Sequence, residues 1–198
     1  MDNVISHYDR LIDESNDPFR DPPALKAYMD KWDGQTFIDE MLLDKTKTVF
    51  EVCVGTGRVA YRVCGLCRHF TGIDFSPKTI ERARENLKEF KNVELICADF
   101  FTYGFKVRFD VIYSTLTFFH FPDKKAAVER IASLLNQNGR FVLSISKDLE
   151  SVVDYGDRKI AYYPDDPEKT QQYLTESGLT VIKRFETEFA YIFTAVKS

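Results

Sequence analysis

Several things are scarce in this sequence, and each scarcity removes a class of protein. No stretch approaches the roughly 20 apolar residues of a membrane-spanning helix. The opening MDNVISHYDR has neither the basic start nor the apolar run of a signal peptide, so a cytoplasmic location is expected. Basic residues are not in excess: 27 Lys and Arg face 31 Asp and Glu, a net charge of -4, which leaves no positive field for a phosphate backbone and speaks against a nucleic-acid partner. Four cysteines in 198 residues do not make a disulfide framework. Cys53 and Cys97 fall in expected buried strands, where a thiol behaves as a small apolar group. Cys64-Gly-Leu-Cys67 is a single C-x-x-C with His69 nearby, and zinc would require a second ligand pair that is not visible, so no metal is expected. Internal repeats and low-complexity segments are also missing.

What is present centres on Thr48-Val-Phe-Glu-Val-Cys-Val-Gly-Thr-Gly-Arg58. An apolar, β-branched run reaches Val54, then Gly55 and Gly57 interrupt it before a helical pattern begins at Arg58. A buried strand feeding a glycine turn and a helix brings bare backbone N–H groups close to a ligand carrying a carboxylate or a phosphate. Glu51 lies inside the run, where a carboxylate is costly without a partner. It is expected to face the ligand or a nearby N–H.

Residues 1 to about 46 read as amphipathic helix punctuated by Pro18, Pro22 and Pro23, a helical cap on the single domain that fills 1–198. Tyr8, Leu11 and Ile12 form one face and Leu25, Tyr28, Met29 and Trp32 another. The cap either packs on a sheet edge or closes over a ligand. From Thr48 strands and helices alternate, which predicts a mostly parallel sheet with helices on both faces. Strands are expected up to Val54, then at Arg68 to Asp74, Val93 to Cys97, Asp110 to Ser114 and Phe141 to Ile145. Ser76-Pro77 and Asp166-Pro167 open helices. An insert spans about 146–165. The last runs, Thr180 to Phe185 and Ala190 to Ala195, are too close for a helical crossover, so the final strand should be antiparallel.

Ligands of open α/β sheets bind at the carboxyl ends of the strands. There the first strand offers Gly55-Thr56-Gly57. The second offers Asp74, at the spacing from the glycines where an acid grips ribose hydroxyls. The third offers Asp99, which can accept from an adenine amino group, with Phe100 or Phe75 against the purine face. The fourth offers Ser114-Thr-Leu-Thr-Phe-Phe-His120. A P-loop is excluded because no G-K-[ST] follows the glycines. An NAD(P)-dependent oxidoreductase is the nearest rival. Its fingerprint needs a third glycine, for which Ala60 would have to stand in, and it does not call for an acid in the first strand or for the terminal hairpin.

From Thr48 to Ser198 the chain resembles the class I S-adenosylmethionine (SAM) dependent methyltransferases. Glu51 to Gly57 resembles the family's first motif, with Cys53 in place of the usual first glycine; Thr71 to Pro77 resembles the second and Cys97-Ala-Asp99-Phe the third. Phe109 to Ser114 resembles the family's fourth strand, and His120-Phe-Pro-Asp with Leu134 to Phe141 resembles the stretch after that strand. The resemblance implies a Rossmann-like, seven-stranded, mostly parallel sheet with an antiparallel last strand. It implies SAM as cofactor and S-adenosylhomocysteine (SAH) as product, held by Glu51, Cys53, Gly55, Thr56, Gly57, Asp74, Phe75, Asp99, Phe100, Ser114 and Thr115.

The fourth-strand loop lacks the Asn/Asp-Pro-Pro-aromatic signature of enzymes acting on DNA amines or glutamine amides, so a small-molecule acceptor is expected, with the methyl moving to a nucleophilic N, O, S or C atom. Tyr8, Trp32, Phe118, Phe119 and Tyr162 are its candidate contacts. Hydroxyl, thiol or carbon acceptors need a general base, and His120 is placed to be one; the alternative for His120 is a structural or cofactor-side role. A SAM-binding module without catalysis remains a competing reading.

Overall fold

The computed structural model describes residues 2–198. Its elements run α1 (Asp2–Asp13), α2 (Pro23–Met29), α3 (Gly34–Asp39), β1 (Thr48–Val52), α4 (Arg58–Cys64), β2 (His69–Asp74), α5 (Pro77–Asn86) and β3 (Val93–Cys97). Then come β4 (Phe109–Ser114), a 3-10 turn (Phe118–His120), α6 (Lys124–Leu134), β5 (Leu135–Ser146), β6 (Val152–Asp154), β7 (Lys159–Ala161), α7 (Pro167–Glu176), β8 (Leu179–Glu186) and β9 (Ala190–Lys197). Seven strands form one sheet of order β3-β2-β1-β4-β5-β9-β8, and β6 and β7 form a separate hairpin. β9 runs antiparallel to both neighbours, as the short gap before it requires. The chain divides into two compact units, Met1–Met29 with Leu43–Gly104, and Asp30–Leu42 with Phe105–Ser198.

In the first unit β1, β2 and β3 are parallel, with Val52 opposite Ile73 and Asp74 opposite Cys97. Val49, Phe50 and Val52 of β1 are all buried, the pattern of a strand whose side chains are covered on both faces. α4 buries Val59, Ala60, Val63 and Cys64. α5 starts where Ser76 accepts from the Thr79 N–H and Pro77 takes the first helical position, and it buries Ile80 and Ala83.

Three expectations need correction here. Cys97 is exposed, because β3 is an edge strand with one open flank. Cys53 is only half-buried, because β1 ends at Val52 and the thiol belongs to the turn. α2 buries no residue, so the face containing Leu25 and Tyr28 is solvated. Both thiols of the C-x-x-C are buried, and burial pushes Cys64 up and Cys67 up to about 11, away from reactive thiolate. No His/Cys/Asp/Glu group able to hold a metal occurs among the described residues.

In the second unit β4 and β5 are parallel and β5, β9 and β8 antiparallel. α3, from the N-terminal region, buries Phe37 and Ile38, and the Phe37 ring meets Tyr113 of β4 at 6.0 Å. α6 buries Ala127, Val128, Ile131, Ala132 and Leu134 on one face. No helix among the described residues is long and apolar enough to cross a membrane.

Candidate functional site

The carboxyl ends of β1, β2 and β3 place three turns along one edge of the first unit. Val54 N–H donates to Ile73 O at 2.9 Å and Ala98 N–H to Asp74 O at 3.0 Å, so the strand pairing carries directly into the turns. The turn after β1 is left-handed at Cys53 (φ 59°), Gly55 (φ 56°) and Gly57 (φ 91°). Two of these are glycine, which adopts that conformation freely; the cysteine stands where the resembling family has glycine, and it bears the strain. Glu51, just behind, is 3% exposed.

Asp74 is the hub. One carboxylate oxygen accepts from the Gly55 N–H and the other from the Ser76 N–H, each at 3.1 Å. Burial pushes its carboxyl up to about 6, against the backbone hydrogen bonds from Ser76, Gly55 and Phe75, while the charge of Asp9 adds to the rise. An ionised carboxylate only accepts, which is the chemistry that gripping the hydroxyls of a vicinal diol requires. Thr56 Oγ1 is buried and has no hydrogen-bond partner in the structure, so the turn holds a polar atom suited to a ligand. These residues fit a nucleoside bearing an amino-acid tail. Asp99 is half-buried and accepts from the Phe101 N–H at 2.7 Å. Of the two rings offered to the purine, Phe100 is 4% exposed and packs 6.3 Å from Phe50 in the core. Phe75 is half-buried and lies 6.2 Å from the Tyr8 ring of α1.

In the second unit Ser114 ends β4 and Thr115 follows it, both buried. Thr115 Oγ1 donates to Asp33 Oδ2 at 2.9 Å, and the Gly34 N–H donates to Asp33 Oδ1 at 2.7 Å. Leu116 is left-handed at φ 55°, a second strained turn at a strand's carboxyl end. In the 3-10 turn that follows, Phe118 belongs to the core, 5.5 Å from Phe121. Phe119 and His120 are half-buried and share the Tyr162 ring, at 4.6 and 5.0 Å. Tyr163 N–H donates to Phe119 O at 2.7 Å, which docks the insert on this turn. Trp32 packs on Phe189 at 4.6 Å, and its carbonyl accepts from Ser144 Oγ at 2.5 Å. The structure thus gathers Phe119, His120 and Tyr162, but not Phe118 or Trp32, into one aromatic rim.

A buried ion pair underlies that rim. Lys124 Nζ lies 2.7 Å from Asp165 Oδ1 and also donates to Phe118 O and Tyr163 O at 2.7 and 2.8 Å. Asp165 also accepts from the Ser146 N–H at 3.1 Å, tying the insert's far end to β5. Burial lowers Lys124 and raises Asp165, each opposed by the other's charge.

Sequence reasoning missed Asp9, Asp17, Asn86 and Asp33. Asp9 Oδ1 accepts from Ser76 Oγ at 2.7 Å and from the Lys78 N–H at 3.2 Å, beside the Asp74 turn. Isolated acids, or one asparagine, in polar helical segments look like a solvated face, and no local pattern distinguishes these.

Residues 49–139 match the family described as a methyltransferase domain. Nodulation protein S of Sinorhizobium fredii is 28% identical over 101 residues, 50% of this chain and 47% of that protein. The chain spans less than half the length of the curated relatives it matches. Among solved structures, the N-methyltransferase NodS of Bradyrhizobium japonicum WM9 in complex with SAH superposes with a TM-score of 0.76 at 18% identity, covering 98% of each chain. Magnesium protoporphyrin IX methyltransferase (ChlM) of Synechocystis PCC 6803 with bound SAM gives 0.78 at 16%, covering 98% of this chain and 95% of that one. Residues 49–139 are thus similar to a methyltransferase domain, and the chain as a whole has the fold seen in these SAM- and SAH-bound methyltransferase structures.

Proposed function

We propose that this protein is a SAM-dependent methyltransferase acting on a small molecule. The observation that carries this is Asp74, a buried acid whose two oxygens are fixed by the Gly55 and Ser76 N–H groups beside a left-handed glycine turn. Asp74 binds the ribose hydroxyls, Asp99 and Phe75 the adenine, and Thr56 with the Gly55–Gly57 turn the amino-acid tail. Ser114 and Thr115 keep the cofactor role that the resemblance implies, and Phe119, His120 and Tyr162 the acceptor role. When bound, SAM supplies an activated methyl group on its sulfonium. The chain's part is to orient that group, exclude water and, for an acceptor that must lose a proton, take it. His120 is the base we assign, held edge-on by Tyr162. The acidic balance and the names of the similar methyltransferases support a small acceptor. Four free cysteines suit a reducing cytoplasm.

Calorimetry with SAH, SAM and NAD tests the reading. SAH and SAM should bind and NAD should not; NAD binding without SAH binding would restore the oxidoreductase. Labelled SAM that passes its methyl to no member of a metabolite panel would favour a binding module.

A further inference from the structure

The glycine turn of the first unit is held from behind by a buried polar relay. Asn86, the last residue of α5 and 6% exposed, donates through Nδ2 to Thr56 O at 3.0 Å. The same Nδ2 donates to both oxygens of Asp17, at 3.3 and 3.2 Å. Its Oδ1 accepts from Arg20 Nε at 3.1 Å. The amide has one orientation available: a carboxylate only accepts and a guanidinium only donates, so Nδ2 must face Asp17 and Oδ1 must face Arg20. One N–H of Asn86 is thereby committed to the turn.

Asp17 is 4% exposed, and its charge is answered on several sides. The Phe19 N–H donates to Oδ1 at 3.1 Å, and Arg82 Nη1 and Arg20 Nε each lie 3.3 Å from Oδ2. A buried carboxylate so surrounded is costly to assemble and does not arise from a solvated loop. Among the described residues, its connection toward the glycine turn is the Asn86 amide. Thr56 sits between two left-handed glycines, residues with wide backbone freedom, so a fixed donor on its carbonyl selects one conformation of the turn.

We infer that Asp17 and Asn86 are positioning residues for the cofactor: Asp17 orients the Asn86 amide, and Asn86 fixes the Gly55–Gly57 turn in its binding shape. The inference rests on the proposed SAM site. It gives the segment between α1 and α2 a task other than covering a ligand.

Two variants separate this role from a merely structural one. Asn86→Leu removes the donor and should weaken SAH binding by about tenfold, the equivalent of one buried hydrogen bond. The exchange Asp17→Asn with Asn86→Asp restores a donor–acceptor pair between the two positions. Arg20 then meets a carboxylate at position 86, and Arg82 keeps Glu85 at 3.2 Å. Position 86 can no longer donate to Thr56 O. The exchange variant should therefore recover most of the melting temperature lost in Asn86→Leu while its SAH affinity stays low. Recovery of affinity and stability together, or wild-type affinity in Asn86→Leu, would overturn the inference. A readout without cofactor is hydrogen exchange at the Gly57 N–H, which donates to Val54 O at 3.1 Å. It should quicken in ligand-free Asn86→Leu, and unchanged exchange would also count against the relay. Wild-type protein that binds no SAH, together with quickened exchange in the variant, would sink the SAM reading and leave the relay standing.

Discussion

At the scale of single residues, the proposed cofactor edge is built from groups held in costly states. Asp74 is the clearest. Its folded pKa of about 6 lies above the ordinary aspartate value of 3.8, so the folded chain holds that proton more tightly than the unfolded chain. Without cofactor, the stability contributed by Asp74 is therefore greatest below about pH 4, declines as pH rises toward 6, and is level above that. The difference corresponds to at most about 3 kcal/mol. Asp74→Asn should flatten this window, measured by urea unfolding between pH 4 and 8; parallel curves for variant and wild type would show that another group titrates. Cys53 illustrates strain of another kind. A non-glycine residue at φ 59° costs roughly 1–2 kcal/mol. Cys53→Gly relieves that strain and adds unfolded-state entropy, so its stability should stay within about 1 kcal/mol of wild type. Cys53→Val, whose β-branch fits the left-handed region poorly, should lose about 2 kcal/mol or more. Equal stability of the two variants would mean the turn relaxes readily.

At the scale of elements, what could be read from the chain was whatever is encoded locally. Ser76-Pro77 and Asp166-Pro167 do open helices, with side-chain caps on Thr79 and on Glu168 and Lys169. The alternation of strand and helix, and the antiparallel β9, follow from spacing alone. The β6–β7 hairpin was not readable, because three residues per strand are too few to show a period. Nor was the burial of Phe37 and Ile38, since a six-residue helix carries little amphipathic signal. The Lys124–Asp165 pair joins residues 41 apart in sequence and was invisible for that reason. It ties α6, the 3-10 turn, β5 and the insert together. Lys124→Met leaves a buried carboxylate without its cation and should cost about 3–5 kcal/mol at pH 8. Burial already raises Asp165, and losing Lys124 raises it further. Lowering the pH protonates it, so the deficit should shrink between pH 8 and 5. A deficit independent of pH would assign the loss to the Phe118 and Tyr163 carbonyls instead.

At the scale of the full chain, the site residues read from sequence fall into two groups because they were found at strand ends, and the strands belong to two units. Asp74, Asp99 and the Gly55–Gly57 turn all lie at one edge of the first unit; this much was readable because each comes after an apolar run. Their supports were not readable, since Asp9, Asp17 and Asn86 act through contacts distant in sequence. On the proposed site, the first unit is the reporter of cofactor binding. A ligand that binds only the folded form at 100 times its Kd adds about 2.7 kcal/mol, and for a chain of this size that corresponds to roughly 5–10 °C in Tm. SAH should raise the Tm by that amount. In hydrogen exchange its protection should centre on the turns after β1, β2 and β3, around Gly55, Asp74 and Asp99. The shift should weaken below about pH 6, where Asp74 takes up its proton and becomes a poorer acceptor for the ribose hydroxyls. Protection spread evenly over the chain, or a Tm shift indifferent to Asp74→Asn, would place the adenosyl group elsewhere.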